Sequence, residues 1–254
     1  MSLPPFTRSG YRQLIGRFLA ADYKPASFAG VRRKHRDLVL RHDVDVSLEA
    51  AVTIAELECE MGVQAAYFVM VSSDFYNVFS ADGRRLLGRL GELGHAIGLH
   101  FDPAAHPGSA KDVTTERGAA IAREFQLLEA VVPHPIELIS LHNPPRELVD
   151  RERPPGWMPH TYEPRYFSEI AYISESGGEW RHGGPFERPA FRAGTAIHLL
   201  LHPIWWAEDE PPPRPELVLE RFARGQHQRI RLALAKGFRA YREFLHAGDK
   251  DDFG

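Results

Sequence analysis

The segment Leu38-Val39-Leu40-Arg41-His42-Asp43-Val44-Asp45 sets the architecture predicted for this 254-residue chain. Its apolar first residues predict a buried β-strand, and the polar residues after them mark the carboxyl end of that strand. Ser47 follows at an N-cap position, and a helical pattern runs from there to Met61, with Gly62 just past its end. The segment therefore predicts a strand followed by a helix, which is the repeating unit of α/β proteins.

The same alternation of short apolar runs and helical patterns continues along the chain. Further strands are predicted at residues 65–71, 96–101, 136–141, 171–173 and 196–201. Helices with one apolar face separate the first of these strands, and Ser80 is the predicted N-cap of one of them. Strands that alternate with helices predict a parallel sheet. In barrels and in open sheets alike, active sites lie at the carboxyl ends of such strands.

The remaining segments fit one predicted domain that covers residues 1–254. We predict a helical extension at about residues 1–35 and a long loop, rich in proline and charge, at residues 143–169. A proline-rich linker is predicted at residues 208–215, and a long basic helix follows at about residues 215–246. Loops of such length inside compact domains are often functional.

Composition argues against several classes of protein. The formal net charge is -3 and the isoelectric point is about 6.5, whereas nucleic-acid binders usually carry a basic excess. The longest apolar runs, residues 63–71 and 197–206, are too short to cross a bilayer. The first residues lack the pattern of a signal peptide, so we expect a cytoplasmic protein. Cys59 is the single cysteine, which excludes an intramolecular disulfide, and we expect its thiol to be buried.

Acidic residues and histidines follow most of the predicted strands. They are Asp43 and Asp45, His100 and Asp102, His142, Glu175, and His202. Carboxylates that converge on one rim repel one another, so they need a cation or protons to coexist. Carboxylate and imidazole ligands suit zinc, and they also suit iron, cobalt, nickel or manganese. The sequence therefore predicts a shared metal site at this rim.

Asp43 and Asp45 lie two positions apart, so a strand places both side chains on one face together with Arg41. One carboxylate can then bind a metal while the other takes a proton from water, whose pKa a divalent cation lowers. His42 points to the opposite face, where we expect it to be a hydrogen-bonded core histidine beneath a helix.

These residues resemble the motifs of the polysaccharide deacetylase family, also called the NodB-homology or carbohydrate esterase family 4 group. The resemblance extends over about residues 36–206 as five separate motifs in the family's order. It implies a distorted (β/α) barrel of the polysaccharide-deacetylase type, followed here by the long C-terminal helix. It also implies a metal-dependent hydrolase acting on a linear amide C–N bond.

The first two motifs imply the metal ligands. In the first, the resemblance implies Asp43 as general base and Asp45 as ligand, but the extra residue between them leaves open whether Asp43 is itself a ligand. In the second, His100 matches the first ligand histidine, whereas alanine stands four residues later. His106, followed by proline as in the family, is the predicted third ligand. Asp102 is the alternative, either as ligand or as a group that holds His100.

The third motif resembles residues 140–146, where His142 is expected to face the site. Arg146 is expected to contact the substrate or to orient the base. In the fourth motif, Glu175 and Trp180 are expected near the groove, and Trp180 either stacks on a sugar ring or packs in the core. The fifth motif implies His202 as the general acid.

The resemblance implies removal of an N-acetyl or N-formyl group from an amino sugar of a glycan or glycan precursor. The setting that it suggests is surface polysaccharide biosynthesis, such as that of the lipopolysaccharide O-antigen. The expected cofactor is a divalent metal ion, and zinc is the preferred candidate. The expected partner is an acylated amino sugar, nucleotide- or lipid-linked, with neither nucleic acid nor a transmembrane segment involved.

Three other readings of the sequence remain. The chain could be a metal-dependent amidohydrolase with a non-sugar amide as its substrate. It could also be a catalytically degenerate relative that binds glycans, which the missing histidine four residues after His100 favours. Last, it could be a structural partner in a glycan-assembly complex, with the helix at residues 215–246 as the docking surface.

Overall fold

The computed structural model describes residues 3–106, 113–132, 134–211 and 214–247. The chain divides into two compact units, residues 1–211 and residues 212–254. The first unit holds a parallel β-sheet with its helices, and the described part of the second unit is helical. Each predicted strand that is followed by an acidic residue or a histidine belongs to the first unit. The assignment of the whole chain to one domain stays a prediction.

The strands of the first unit form one sheet, and every pairing in it is parallel. They are β1 (Lys24–Pro25), β2 (Asp37–Val44), β3 (Ala66–Val69), β4 (Ala96–Phe101), β5 (Ile139–Leu141), β6 (Ala171–Ser174) and β7 (Ile197–Leu201). Their order across the sheet is β5-β4-β3-β2-β7-β6, and β1 pairs with the start of β2. All six predicted strands are present. The fifth strand, β5, begins three residues later than predicted.

Six α-helices accompany these strands in the described part of the first unit. They are α1 (Arg8–Ala20), α2 (Leu48–Glu60), α3 (Ala81–Glu92), α4 (Val113–Glu129), α5 (Pro164–Phe167) and α6 (Pro189–Ala193). The predicted N-caps are present, because Ser47 accepts the amide of Ala50 at 3.2 Å and Ser80 accepts that of Gly83 at 2.9 Å. Cys59, expected to be buried, is exposed, since it lies on the solvent side of α2.

Contacts between distant strands show that the sheet is curled. Ser140 on β5 lies 3.3 Å from both carboxylate oxygens of Asp43 on β2. Three strand spacings separate β5 from β2, which is about 14 Å in a flat sheet. Only strong curvature brings these side chains together. The prediction of a distorted (β/α) barrel is confirmed.

The two faces of β2 have different surroundings, as its alternating side chains require. Val39 packs with Phe68 and Leu138 in a small apolar cluster inside the curl. On the opposite face, His42 is buried with its Nε2 2.8 Å from Glu58 Oε1 of α2. The expectation of a hydrogen-bonded core histidine beneath a helix is therefore confirmed.

The second unit contains α7 (Glu216–Gly237) and α8 (Arg239–Ala247). The long C-terminal helix is confirmed, but it ends before residue 246. Phe238 has an extended backbone, with φ -126° and ψ 115°, and it separates the two helices. Gly237 precedes the break, and glycine supports a helix poorly. Among the described helices, none combines the length and the apolar composition that crossing a bilayer requires.

Candidate active site

Three side chains converge where strands β2, β4 and β5 end. Asp45 follows β2, His100 belongs to β4, and His142 follows β5. His100 Nε2 lies 3.0 Å from Asp45 Oδ1. His142 Nδ1 lies 3.3 Å from His100 Nε2 and 3.5 Å from Asp45 Oδ1. One oxygen and two imidazole nitrogens thus form a compact triangle.

The triangle fits a divalent cation. Ligand atoms placed about 2.1 Å from a tetrahedral zinc ion lie about 3.4 Å apart, which is close to the three distances above. Asp45 Oδ1 is buried, and among the described residues it has no partner with hydrogen-bond geometry. A buried carboxylate oxygen without hydrogen-bond geometry to a donor is free to bind a cation shared with the two imidazole nitrogens. The residues present therefore suit a metal ion.

Electrostatics keep Asp45 in the form that binds metal. Burial raises the pKa of Asp45, but the adjacent imidazoles of His100 and His142 outweigh burial and hold the pKa well below its usual range. The carboxylate is therefore ionised at neutral pH.

His106 does not join this triangle. Its Nε2 lies 2.8 Å from Glu124 of α4, and its ring stacks on Phe101 with a centroid distance of 5.1 Å. The chain turns after β4, where Asp102 accepts the amide of Ala104 at 2.8 Å, and this turn carries His106 toward α4. His142, which was expected to face the site, stands in the triangle, whereas His106, the predicted third ligand, does not. The residue after His106 lies outside the described residues.

Asp102 does not join the triangle either. One oxygen of Asp102 is used in the turn. His100 Nδ1, the nitrogen on the side away from the triangle, has no hydrogen-bond partner among the described residues, so Asp102 does not hold His100.

Asp43 lies beside the triangle, clamped by Arg41. The guanidinium of Arg41 donates to Oδ1 at 2.8 Å and to Oδ2 at 2.6 Å, so both carboxylate oxygens are bound. Burial raises the pKa of Asp43, but the charges of Arg41 and His100 outweigh burial and lower it. Asp43 Oδ2 is 3.6 Å from His100 Nε2.

Arg41 is itself fully buried and held in place. It donates to Ser140 Oγ, and to the hydroxyl of Tyr162 at 3.1 Å. The guanidinium also lies over the Tyr162 ring, 4.7 Å from its centroid. Together with Asp43, these side chains form a buried cluster beside the triangle.

His202 faces the triangle from the other side, at the end of β7. Its Nε2 is 3.7 Å from Asp45 Oδ2, and its Nδ1 is 3.3 Å from Glu175. Glu175 also accepts the backbone amide of His202 at 2.9 Å. Burial lowers the pKa of His202, but Glu175 and then Asp45 and Asp43 outweigh burial and raise it to about 9. The imidazole is therefore protonated at neutral pH.

These groups border a cleft of about 250 Å³. Residues around it that the sequence analysis did not single out include Asn143, Tyr162, Tyr172 and Ser174. Asn143 has a left-handed backbone, with φ 42°, and its side-chain amide lies 2.9 Å from His142 Nε2. Ser140 was also missed, although period-two alternation from His142 places it on the same face.

Two predicted site residues lie away from the triangle. Arg146 is exposed in a short 3-10 helix, Arg146–Leu148. Trp180 packs with Phe6 and Trp206 at ring-centroid distances of 6.5 and 6.4 Å. Of the two alternatives for Trp180, packing in the core is the one present.

No protein-family model matches the sequence, and no curated protein matches it. Solved structures do match it. The peptidoglycan deacetylase PdaC from Bacillus subtilis is 15% identical with a TM-score of 0.45, over 82% of this chain and 98% of that chain. The Bc1960 peptidoglycan N-acetylglucosamine deacetylase is 14% identical with a TM-score of 0.44, over 77% and 86%.

A third match is BA3943 of Bacillus anthracis, a carbohydrate esterase family 4 pseudoenzyme. It is 13% identical with a TM-score of 0.40, over 76% of this chain and 62% of that chain. This chain therefore spans less than two thirds of the length of that pseudoenzyme. The likeness is to the family that the sequence motifs resemble. Because each TM-score is below 0.5, the fold is stated from the sheet topology of this chain and the site from its own geometry.

Proposed function

We propose that this protein is a metal-dependent hydrolase that removes an N-acyl group, acetyl or formyl, from an amino sugar of a glycan or glycan precursor. The observation that carries this proposal is the meeting of Asp45, His100 and His142 in one cleft with Asp43 and His202. The proposed setting is surface polysaccharide biosynthesis on a nucleotide- or lipid-linked sugar in the cytoplasm. That setting rests on the sequence resemblance alone.

Asp45, His100 and His142 would hold the divalent cation, for which zinc is the first choice. A cation there would polarise the amide carbonyl and lower the pKa of water in the site. Asn143 supports this role, because its amide contacts the imidazole nitrogen of His142 that faces away from the triangle. Such a contact fixes the orientation of a ligand histidine.

Asp43 is the proposed general base, accepting a proton from water at Oδ2. The clamp by Arg41 keeps the carboxylate ionised and fixes its direction. The same clamp makes Asp43 a weak base, because it lowers the pKa of the carboxyl group. A general base is most efficient when its pKa lies near the working pH, so the clamp limits the proton affinity of Asp43.

His202 is the proposed general acid. At neutral pH it carries a proton on Nε2, the nitrogen nearer the triangle, which it can donate to the departing amine. Glu175 orients the ring by accepting from the backbone and from Nδ1. The amide C–N bond breaks, water supplies the hydroxyl of the released acid, and the amino sugar leaves as a free amine.

The test begins with metal content. Purified protein is stripped with a chelator, reloaded with zinc, cobalt or manganese, and assayed for acetate or formate released from N-acyl glucosamine oligomers. We expect one bound metal ion per chain and activity that returns on reloading. His142→Ala should lose the metal and the activity, whereas the matched variant His106→Ala should keep both.

Metal loss in His106→Ala with metal retained in His142→Ala would overturn the ligand assignment. Metal binding and glycan binding without release of an acid would support the degenerate glycan-binding alternative instead. Release of an acid from simple amides but not from acylated sugars would support a non-sugar substrate.

A further inference from the structure

Large apolar side chains are exposed along the second unit. They are Leu219 at 40%, Ile230 at 59%, Leu232 at 69%, Leu234 at 37%, Phe238 at 62% and Phe244 at 54% of their full accessible surface. Soluble proteins rarely expose so many large apolar side chains in one segment. A contiguous group of them marks an interaction surface. We call residues 216–247, which comprise α7, Phe238 and α8, the helical pair.

Three of the exposed apolar side chains of α7 lie on one face. Leu219, Ile230 and Leu234 are spaced by eleven and four residues, which brings them onto the same side of a helix with 3.6 residues per turn. Leu232 is the exception and lies on the other side. In α8, Phe244 lies next to Tyr241, with ring centroids 6.0 Å apart. Both helices are therefore amphipathic.

The same segment is strongly basic. Residues 216–247 contain seven arginine or lysine residues and three glutamates, a net charge of +4, whereas the whole chain has a net charge of -3. At 100° per residue, Arg224 and Arg231 flank the apolar face of α7 on one side, and Arg229 and Lys236 flank it on the other. A helix with an apolar face between basic flanks is the pattern of interfacial helices.

We propose that the helical pair docks on the surface of an anionic lipid bilayer. Leu219, Ile230 and Leu234 lie at the boundary between headgroups and acyl chains, and Phe238 and Phe244 join them there. The flanking arginine and lysine side chains reach the lipid phosphates. The chain is then a peripheral membrane protein. This proposal uses no residue of the cleft and does not depend on the proposed function.

Charge favours a bilayer over a second copy of this chain. Two copies meeting through this face would bring together two segments of net charge +4, which repel each other. Nucleic acid would engage the basic flanks but would leave the apolar face in water. An anionic bilayer offers apolar interior and negative charge in one surface, and so matches both properties of the helical pair.

The experiment uses the full chain and sedimentation with lipid vesicles. Binding is compared between vesicles of phosphatidylcholine alone and vesicles that also contain phosphatidylglycerol, at low and at high salt. We expect binding to the anionic vesicles at least about ten-fold tighter than to neutral ones, and weaker at high salt, because several charges contribute.

Paired variants separate the two contributions. Ile230→Ser with Leu234→Ser should weaken binding about ten-fold or more, because each removes an apolar side chain from the boundary. Arg224→Gln with Arg231→Gln should weaken it by about five-fold per charge removed. Leu127→Ser and Arg85→Gln are matched controls, since both residues are exposed on helices of the first unit, and they should bind as the unaltered chain does. Circular dichroism checks that each variant is folded.

Several results would overturn the proposal. One is that the chain does not bind vesicles, and another is that it binds neutral and anionic vesicles equally. A third is that the control substitutions weaken binding as much as the substitutions in the helical pair do. A dimer in solution that Ile230→Ser with Leu234→Ser dissociates, without vesicle binding, would identify a second copy as the occupant. Binding to nucleic acid without binding to vesicles would identify that class of partner instead.

Discussion

Asp43 and Asp45 lie two positions apart, yet their carboxylates have different surroundings. Both oxygens of Asp43 are bound by Arg41, whereas Asp45 turns Oδ1 toward two imidazoles without a hydrogen-bond partner among the described residues. The charge of Asp43 is already balanced by Arg41, so this carboxylate gains little from a cation. Asp45 has no such arginine, so its Oδ1 can bind one. The two residues should therefore respond differently to the same substitution.

Asp43→Asn should lower the rate of amide hydrolysis by about 100-fold or more while the metal is retained, because only the base is lost. Asp45→Asn should lose the metal. Metal content and turnover are measured together on each variant, and circular dichroism checks folding, because Asp43→Asn leaves the buried Arg41 without its counter-charge. Loss of metal from Asp43→Asn would make Asp43 a ligand instead of the base.

His198 should make stability depend on pH. It is fully buried, its Nδ1–H donates to the carbonyl of Tyr166 at 2.9 Å, and burial and then the charge of Arg41 lower its pKa to about 3. In the unfolded chain the pKa is about 6.5, so that state takes up the proton first as the pH falls. The contribution of neutral His198 to stability is present above pH ~6.5 and is lost progressively toward pH ~3.

Between pH 7 and pH 5 this loss amounts to about 2 kcal/mol in the free energy of unfolding. His198→Phe removes the titrating group, so its free energy of unfolding should fall by about 2 kcal/mol less than that of the unaltered chain over the same interval. Urea denaturation at both pH values measures the difference, and His198→Asn, which keeps an N–H donor, should behave in the same way. Equal losses in all three proteins would contradict the prediction.

The sequence predicted the residues of the triangle that lie on or next to long strands, Asp45 and His100. It placed His142 near the site but chose His106 as third ligand. The position of His106 depends on the turn at Asp102 and on a contact with Glu124, which is 18 residues away in the chain. The spacing of residues in the sequence does not reveal the geometry of a turn or a contact with a distant residue. The sequence alone could therefore not decide between the two histidines.

At the scale of elements, strand β4 needs a glycine at residue 98. A Cβ built there would lie 2.8 Å from the carbonyl oxygen of Leu138 and would collide with the ring of Phe68. A side chain at this position would have to displace the ring of Phe68 or the backbone at Leu138.

Gly98→Ala should therefore lower the free energy of unfolding by about 2 kcal/mol, because a well-packed interior cannot absorb the added carbon. Gly88→Ala is the control, since a Cβ at that position in α3 would have no atom within 4 Å. That variant should be neutral or stabilising, by up to about 1 kcal/mol. Urea denaturation of both variants provides the measurement, and equal stabilities would contradict the expectation for residue 98.

Periodicity predicted the longer elements well, and their N-caps at Ser47 and Ser80. It did not predict β1, α5 or α6, which have two, four and five residues. Elements that short are stabilised by contacts with distant residues, and they contain too few positions to express a period. The break at Phe238 was missed because the apolar pattern continues on both sides of it.

At the scale of the whole molecule, the triangle joins three strands of the sheet. Asp45, His100 and His142 belong to β2, β4 and β5 or follow directly from them, and β5 is an edge strand of only three residues. A ligand that binds only the folded state stabilises that state. A cation held by all three strands should therefore protect the sheet against unfolding.

Addition of zinc to chelator-treated protein should raise the free energy of unfolding by about 2.7 kcal/mol when free zinc exceeds its dissociation constant 100-fold. The thermal midpoint with and without zinc measures this effect. His142→Ala should show no such rise, while His106→Ala should show the full one. A rise that is the same in both variants would place the metal elsewhere in the molecule.

The floor of the cleft has a consequence for the proposed substrate. Asp43 borders the cleft beside the triangle, and it forms a buried, charged layer with Arg41 and Ser140, which bind its carboxylate. A methyl group or a hydrogen atom on the acyl carbon fits above such a layer, but a longer alkyl tail would have to displace a buried ion pair. For the proposed deacylase we therefore expect formyl and acetyl groups to be removed faster than butyryl and longer ones, and equal rates of acid release from all of them would contradict this expectation.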